Sequence, residues 1–233
     1  MPFLRRLLGP RNSILLAFDH LEPAGVEDFE ARVEEVGRYY DLVSVSEISS
    51  RLPGRGALGL AAIVFTEARQ SLFLRAAPIL RGRGIPFTVF CRPDCLGTNR
   101  LPSDEEARLY LEKVPGARGL ATGDPRILRE RLGPLPYDEI DPTLFFIRWG
   151  RLRDFPPELV EVGVRAGVND QLRQDAEFIR TVLQREVRTA FSDGKVPVER
   201  LREAGLAALA TRRTGAINRG TSPTDLPVWP LEE

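Results

Sequence analysis

Short apolar runs alternate along the chain with longer stretches of helical spacing. Ser13 to Phe18, Leu60 to Phe65 and Ile85 to Cys91 carry few polar residues, as strands covered on both faces do. Between them, Val26 to Tyr39 sets Val26, Phe29, Val33 and Val36 on one face, and Leu72 to Arg83 reads as a helix halted at Gly84. Asp41 to Val45 predicts a further short strand, and Ser46 to Leu52 a helical turn ended by Pro53-Gly54. Ser103 is placed to cap a helix running to Lys113, with Glu106 completing a capping box. Gly116 to Pro142 is rich in Gly and Pro and yields no clear element. Leu159 to Val164 predicts a strand, Asp170 to Glu186 an amphipathic helix, Val187 to Phe191 a strand, Val196 to Ala204 a helix and Ala207 to Thr211 the closing strand. This alternation predicts an α/β fold with a parallel sheet wrapped by helices, and the length suits one domain spanning 1–233.

Charge narrows the partners. The 33 basic and 33 acidic side chains cancel, so no overall field draws the chain to nucleic acid or an anionic membrane. No stretch reaches membrane-spanning length, and Met1 to Gly9 lacks the apolar region and cleavage site of an export signal, so a cytoplasmic location is expected. Only Lys113 and Lys195 are lysines; the other 31 basic residues are arginines. A GC-rich genome or heat-adapted composition explains that bias simply, yet a guanidinium also makes planar two-point contacts to carboxylates or sugars. Cys91 and Cys95 are too few for a zinc cage or a disulfide framework, and read either as free thiols or as a local disulfide or redox pair.

Several segments, in order, resemble the polysaccharide deacetylases (the NodB homology domain, carbohydrate esterase family 4). Ala77-Pro78-Ile79-Leu80 and Ile85-Pro86-Phe87-Thr88-Val89-Phe90 are similar to that family's Ala-x-Pro-Ile-Leu and Ile-Pro-Ala-Thr-Phe-Phe. Leu16-Ala17-Phe18-Asp19-His20 stands where many members have a strand ending in Tyr-His, and Asp28-Phe29-Glu30 and Val43-Ser44-Val45-Ser46-Glu47-Ile48 have counterparts as well. Phe191-Ser192-Asp193-Gly194 resembles the Tyr-Pro-x-Gly loop, and Ala208 to Pro227 the family's tail. The resemblance covers most of the chain, is weakest in the middle third, and implies a single deformed (β/α) barrel of about seven strands.

It also implies a chemistry, and shows where the chemistry fails. Family members hydrolyse the N-acetyl groups of sugars with a divalent metal held by one Asp and two His, a second Asp as base and a later His as acid. The family's Asp-Asp-Gly-Tyr falls on Thr66-Glu67-Ala68-Arg69, so Thr66 replaces the base and Glu67 keeps a carboxylate at a ligand position. The His-Thr-x-x-x-His segment falls near Arg165 to Asp170, with Arg165 at the first histidine and Asn169 or Asp170 at the second. The whole chain has one histidine, His20, and two imidazole ligands cannot come from one.

No catalytic set is therefore assigned, and neither metal nor cofactor is expected. Asp19, His20, Thr66, Glu67, Arg165 and Asn169 form a vestigial pocket, with Arg69, Arg92, Asp94 and Asp193 as candidate ligand-binding residues. Arg165 either neutralises Glu67 where a metal would stand or points to solvent. His20 either packs at a strand end or pairs with Asp19. Trp149 and Trp229 read as core and as a terminal latch, or as stacking platforms for sugars. The expected function is a deacetylase-like, inactive domain that binds a glycan, a sugar intermediate, a protein partner or its own copy. The alternative is a divergent N-deacetylase with a rebuilt, metal-independent site.

Overall fold

Seven strands, all parallel to their neighbours, close into a ring. The computed structural model describes residues 12–52, 58–98, 100–120, 122–166 and 171–230. Around the ring run β1 (Ile14–Phe18), β3 (Leu60–Phe65), β4 (Phe87–Cys91), β5 (Val160–Arg165), β6 (Thr189–Ser192), β7 (Ala208–Thr214) and β8 (Leu226–Pro230). Leu16 of β1 lies opposite Trp229 of β8, which completes the circuit. A two-residue β2 (Asp41–Leu42) pairs with the first residues of β3. The architecture is the deformed (β/α) barrel expected from the sequence, with one correction: β8, not residues 207–211, closes it. Trp229 accordingly belongs to the last strand of the ring rather than to a latch outside it.

Eight helices are described: α1 (Val26–Gly37), α2 (Val45–Arg51), α3 (Gln70–Gly82), α4 (Ser103–Lys113), α5 (Pro125–Leu132), α6 (Trp149–Arg153), α7 (Leu172–Leu183) and α8 (Val198–Glu203). Val45 starts a helix instead of ending a strand, because the Ser44 hydroxyl accepts from the Glu47 amide at 3.3 Å and turns the chain early. Pro53-Gly54 lies outside the described residues. Pro102, not Ser103, precedes α4; no side chain caps that helix, and the buried Glu106 carboxylate pairs with Arg129 instead of reaching back. Within the unassigned 116–142 stretch, Asp124 caps α5 by accepting from the Arg126 amide at 2.8 Å, with Pro125 in the first helical position.

Strand alternation divides the core. Ile14, Leu16 and Phe18 of β1 pack outward against the helices. Leu15 and Ala17 point into the lumen, where they meet Ala62, Val64, Phe90, Phe191, Ala210 and Val228. Strands buried on both faces explain the uninterrupted apolar runs. Gly163 makes the filling possible: a Cβ there would stand 2.5 Å from the Phe90 ring, so only glycine leaves room for the aromatic. At the amino-terminal end of the same strand, Glu161 accepts from Thr88 Oγ1 at 2.6 Å and Thr189 Oγ1 at 3.1 Å.

The segment between β4 and β5 builds a separate small core around Leu101, Leu109, Tyr110, Leu128 and Ile140. It is fastened to the end of β3, where the Gln70 amide donates to Phe145 O at 2.8 Å and the Ile147 amide to Ala68 O at 2.9 Å. That attachment puts α4 beside the carboxyl-terminal mouth of the barrel.

Candidate functional site

The alternation that fills the lumen also assembles its mouth. Continuing two residues past the lumen-facing positions Ala17, Val64, Phe90, Gly163, Phe191 and Ala210 gives Asp19, Thr66, Arg92, Arg165, Asp193 and Arg212. Period-two geometry therefore turns six strand-end polar groups toward one axis. Asp19, Arg92, Arg165, Asp193 and Arg212, with Glu67, Arg69 and Glu105, line a cavity of about 250 Å³.

Four guanidinium groups and four carboxylates interlock there. Glu67, almost fully buried, pairs through Oε2 with Arg69. Its Oε1 stands 3.0 Å from Arg92 Nε and 3.8 Å from Arg165 Nε. Arg69 also binds Glu105 at 2.8 Å and donates to Leu144 O at 2.8 Å. Arg165, only 3% exposed, reaches Asp193 through Nη2 and lies over the Phe191 ring, 4.4 Å from its centroid. Arg212 joins Asp193, at 2.6 Å, to Asp19, which accepts in turn from the Thr66 hydroxyl.

Burial and charge act differently on these cations. Burial works against the Arg69 guanidinium, but Glu67 and Glu105 outweigh it and hold its pKa above the ordinary value. Arg212 is held high likewise: Asp19 and Asp193 together outweigh its own burial. Arg165 moves the other way. Burial lowers its pKa, and Asp193 and Glu67 do not make up the loss, because Arg92 and Arg212 add positive charge beside it.

A divalent metal does not fit this site. Glu67, the carboxylate at the ligand position implied by the resemblance, is bonded by Arg69 and has the Arg92 and Arg165 guanidiniums within ion-pair distance. Among the described residues no group of three His, Cys, Asp or Glu could hold a metal ion. His20, the single imidazole, faces an adjoining outer groove of about 710 Å³ with Nε2 3.9 Å from Glu22. Thr66 has only a hydroxyl, committed to Asp19.

The structure thus brings together Asp19, Thr66, Glu67, Arg69, Arg92, Arg165 and Asp193. Asp94 is exposed and does not line the cavity, and Asn169 lies outside the described residues. Cys91 and Cys95 are both buried free thiols. Trp149 is half-buried with its ring 5.7 Å from Phe178, and it does not line the cavity. Sequence reasoning missed Arg212 and Glu105. Arg212 was readable, because Ala208, Ala210 and Arg212 share one face of a strand. Glu105 carried no signal, since its place depends on how the inserted segment docks.

The outer groove shares Asp19, Arg69, Asp104 and Glu105 with the cavity and continues past His20, Arg108, Lys113, Glu139 and Asp141. Its lining holds seven carboxylates against three basic side chains. Among the described residues no helix is long and apolar enough to cross a membrane.

No family model matches the chain, and no curated protein matches it in sequence. Solved structures do match. IcaB from Ammonifex degensii superposes with a TM-score of 0.68 at 15% identity, over 95% of this chain and 92% of that one. The Streptococcus pyogenes deacetylase PplD, solved in complex with acetate, gives 0.63 at 9% identity over 96% and 93%. The BpsB deacetylase domain from Bordetella bronchiseptica gives 0.61 at 15% identity over 95% and 96%. The chain has the polysaccharide deacetylase fold over nearly its whole length.

Proposed function

We propose that this chain is a catalytically silent polysaccharide deacetylase-like domain that binds a glycan at the barrel mouth and its adjoining groove. One observation carries the reading: Glu67 sits among Arg69, Arg92 and Arg165, so positive charge occupies the place where this chemistry needs a metal. A guanidinium neutralises a buried carboxylate without offering an open coordination position, and so cannot activate a water. The cavity and groove persist beside it, lined by carboxylates, guanidiniums and one imidazole, groups suited to hydrogen-bonding sugar hydroxyls.

Among the described residues nothing favours a rebuilt metal-independent hydrolase. His20, its one imidazole, stands apart from the network, and Asp19 is taken up by Thr66 and Arg212. The cytoplasmic location and a single-domain organisation remain part of this proposal, and a protein partner is an outcome of its test.

The experiment uses the purified full chain. Metal content is measured, acetate release from N-acetylated oligosaccharides is followed with and without added zinc, and binding is screened on a glycan panel. Sub-stoichiometric metal, no acetate release and saturable binding of at least one glycan are expected. Zinc-dependent amide cleavage would refute catalytic silence, and an unresponsive panel would refute glycan binding.

A further inference from the structure

We infer that the floor of the cavity is an anion subsite, built by Arg165 and Arg92, that takes the carboxylate or phosphate group of a compact ligand. The inference deepens the proposed function, since it rests on the mouth being a binding site and names the group bound there.

The first observation is a set of buried donors without acceptors. Arg165 Nη1 and Nε and Arg92 Nε find no hydrogen-bond partner among the described residues. Arg92 Nε lies 3.0 Å from Glu67 Oε1 but is not aligned to donate to it, and Arg165 Nε is too far from that oxygen at 3.8 Å. Arg165 is 97% buried by side chain and lines the cavity. Buried charged donors seldom go unmet in folded proteins, so these N–H groups point to an acceptor. Stacking on Phe191 and the pair with Asp193 hold the Arg165 plane in place, so its free edge is preset rather than adaptable.

The second observation is the layering of charge. Three guanidiniums share Glu67 at depth. Of the other carboxylates, Glu105 pairs with Arg69 rather than with Arg92 or Arg165, and Asp193, the partner of Arg165, is 54% exposed and screened by solvent. Positive charge is therefore concentrated on the floor, which is also why burial, reinforced by Arg92 and Arg212, lowers the Arg165 pKa. A water could accept two of the three hydrogen bonds but would leave that charge uncompensated. An oxyanion has more acceptor positions than a water and supplies the opposite charge.

Size and rim select the ligand. A cavity of about 250 Å³ admits an anionic group with a small body attached. The carboxylate-rich groove outside repels an extended polyanion and tolerates a neutral or amino-bearing remainder. The subsite thus suits a ligand with one anionic group and an otherwise uncharged or cationic frame.

The test titrates the full chain with acetate and, separately, inorganic phosphate by calorimetry and thermal shift, with chloride at matched ionic strength as the reference. Saturable 1:1 binding of one or both anions is expected, and the stronger of the two identifies the group. Arg92→Gln should weaken that binding at least about tenfold, the loss of one charge-assisted hydrogen bond. Arg165→Gln should abolish it; if that variant fails to fold, Arg92→Gln decides alone. Anions indistinguishable from chloride, or full affinity in Arg92→Gln, would overturn the subsite. Glycan binding without anion binding would sink this inference and leave the proposed function standing, whereas anion binding with a silent glycan panel would do the reverse.

Discussion

Arg165 lays its guanidinium over the ring of Phe191, 4.4 Å from the centroid, where neighbouring strands β5 and β6 place both residues at the same end of the lumen. The aromatic face and the Asp193 carboxylate hold a nearly fully buried cation within reach of Glu67. This ion-pair network makes the mouth of the barrel part of its stability.

Reversal of that charge should therefore be costly. Arg165→Glu sets a second buried carboxylate beside Glu67 and leaves Asp193 without its deep partner. A loss of about 3–5 kcal/mol in urea unfolding is expected, by analogy with breaking buried ion pairs. An unchanged midpoint would mean that the network contributes nothing.

The lumen is equally unforgiving at Gly163. Gly163→Ala drives a methyl group to 2.5 Å from the Phe90 ring and 2.7 Å from Thr189 Oγ1. Overpacking of this kind costs about 1–3 kcal/mol. Pairing it with Phe90→Leu should recover part of the loss, and strictly additive effects in the double-mutant cycle would count against direct contact.

The thiols should be inert while the protein is folded. Burial raises the Cys91 pKa strongly and pushes Cys95 up to about 12, so neither is a thiolate at mildly alkaline pH. Alkylation near pH 8 should be negligible in the native protein and rapid in denaturant; fast modification of the native state would contradict the burial.

Gln184 ends α7 with a φ of 54°, the only non-glycine residue with positive φ among those described. Gln184→Gly should raise stability by roughly 0.5–1 kcal/mol, because glycine adopts that conformation without a Cβ clash. Thermal unfolding of the variant decides the sign.

His20 gives a pH dependence. Burial lowers its pKa from the usual 6.5, with Arg69 and Arg75 adding to the shift against Glu22 and Asp141. As pH falls, the unfolded chain takes up the proton first, so stability declines below about 6.5 and levels off below the folded value. His20→Asn should flatten the stability profile in that window; an identical slope would show that the imidazole does not contribute.

How much of this was legible in one dimension follows from range. Apolar runs such as Leu60 to Phe65 and helical spacing such as Val26 to Val36 are local, and they announce a parallel sheet because strands covered on both faces have no polar side to show, whereas its closure into a barrel was implied only by the family resemblance. The single histidine, a matter of composition, rules out a paired-imidazole metal site. Partnership across the mouth is not local. Glu67 meets Arg165 about a hundred residues away, Asp19 meets Arg212 almost two hundred away, and Glu105 arrives on an inserted segment with its own core. The closing strand, too, was misplaced, since apolar pattern cannot tell which strand will find β1. Ring closure and the docking of that insertion set which arginine faces which carboxylate, because ion-pair geometry depends on where strand ends converge, and convergence exists only once the barrel is complete.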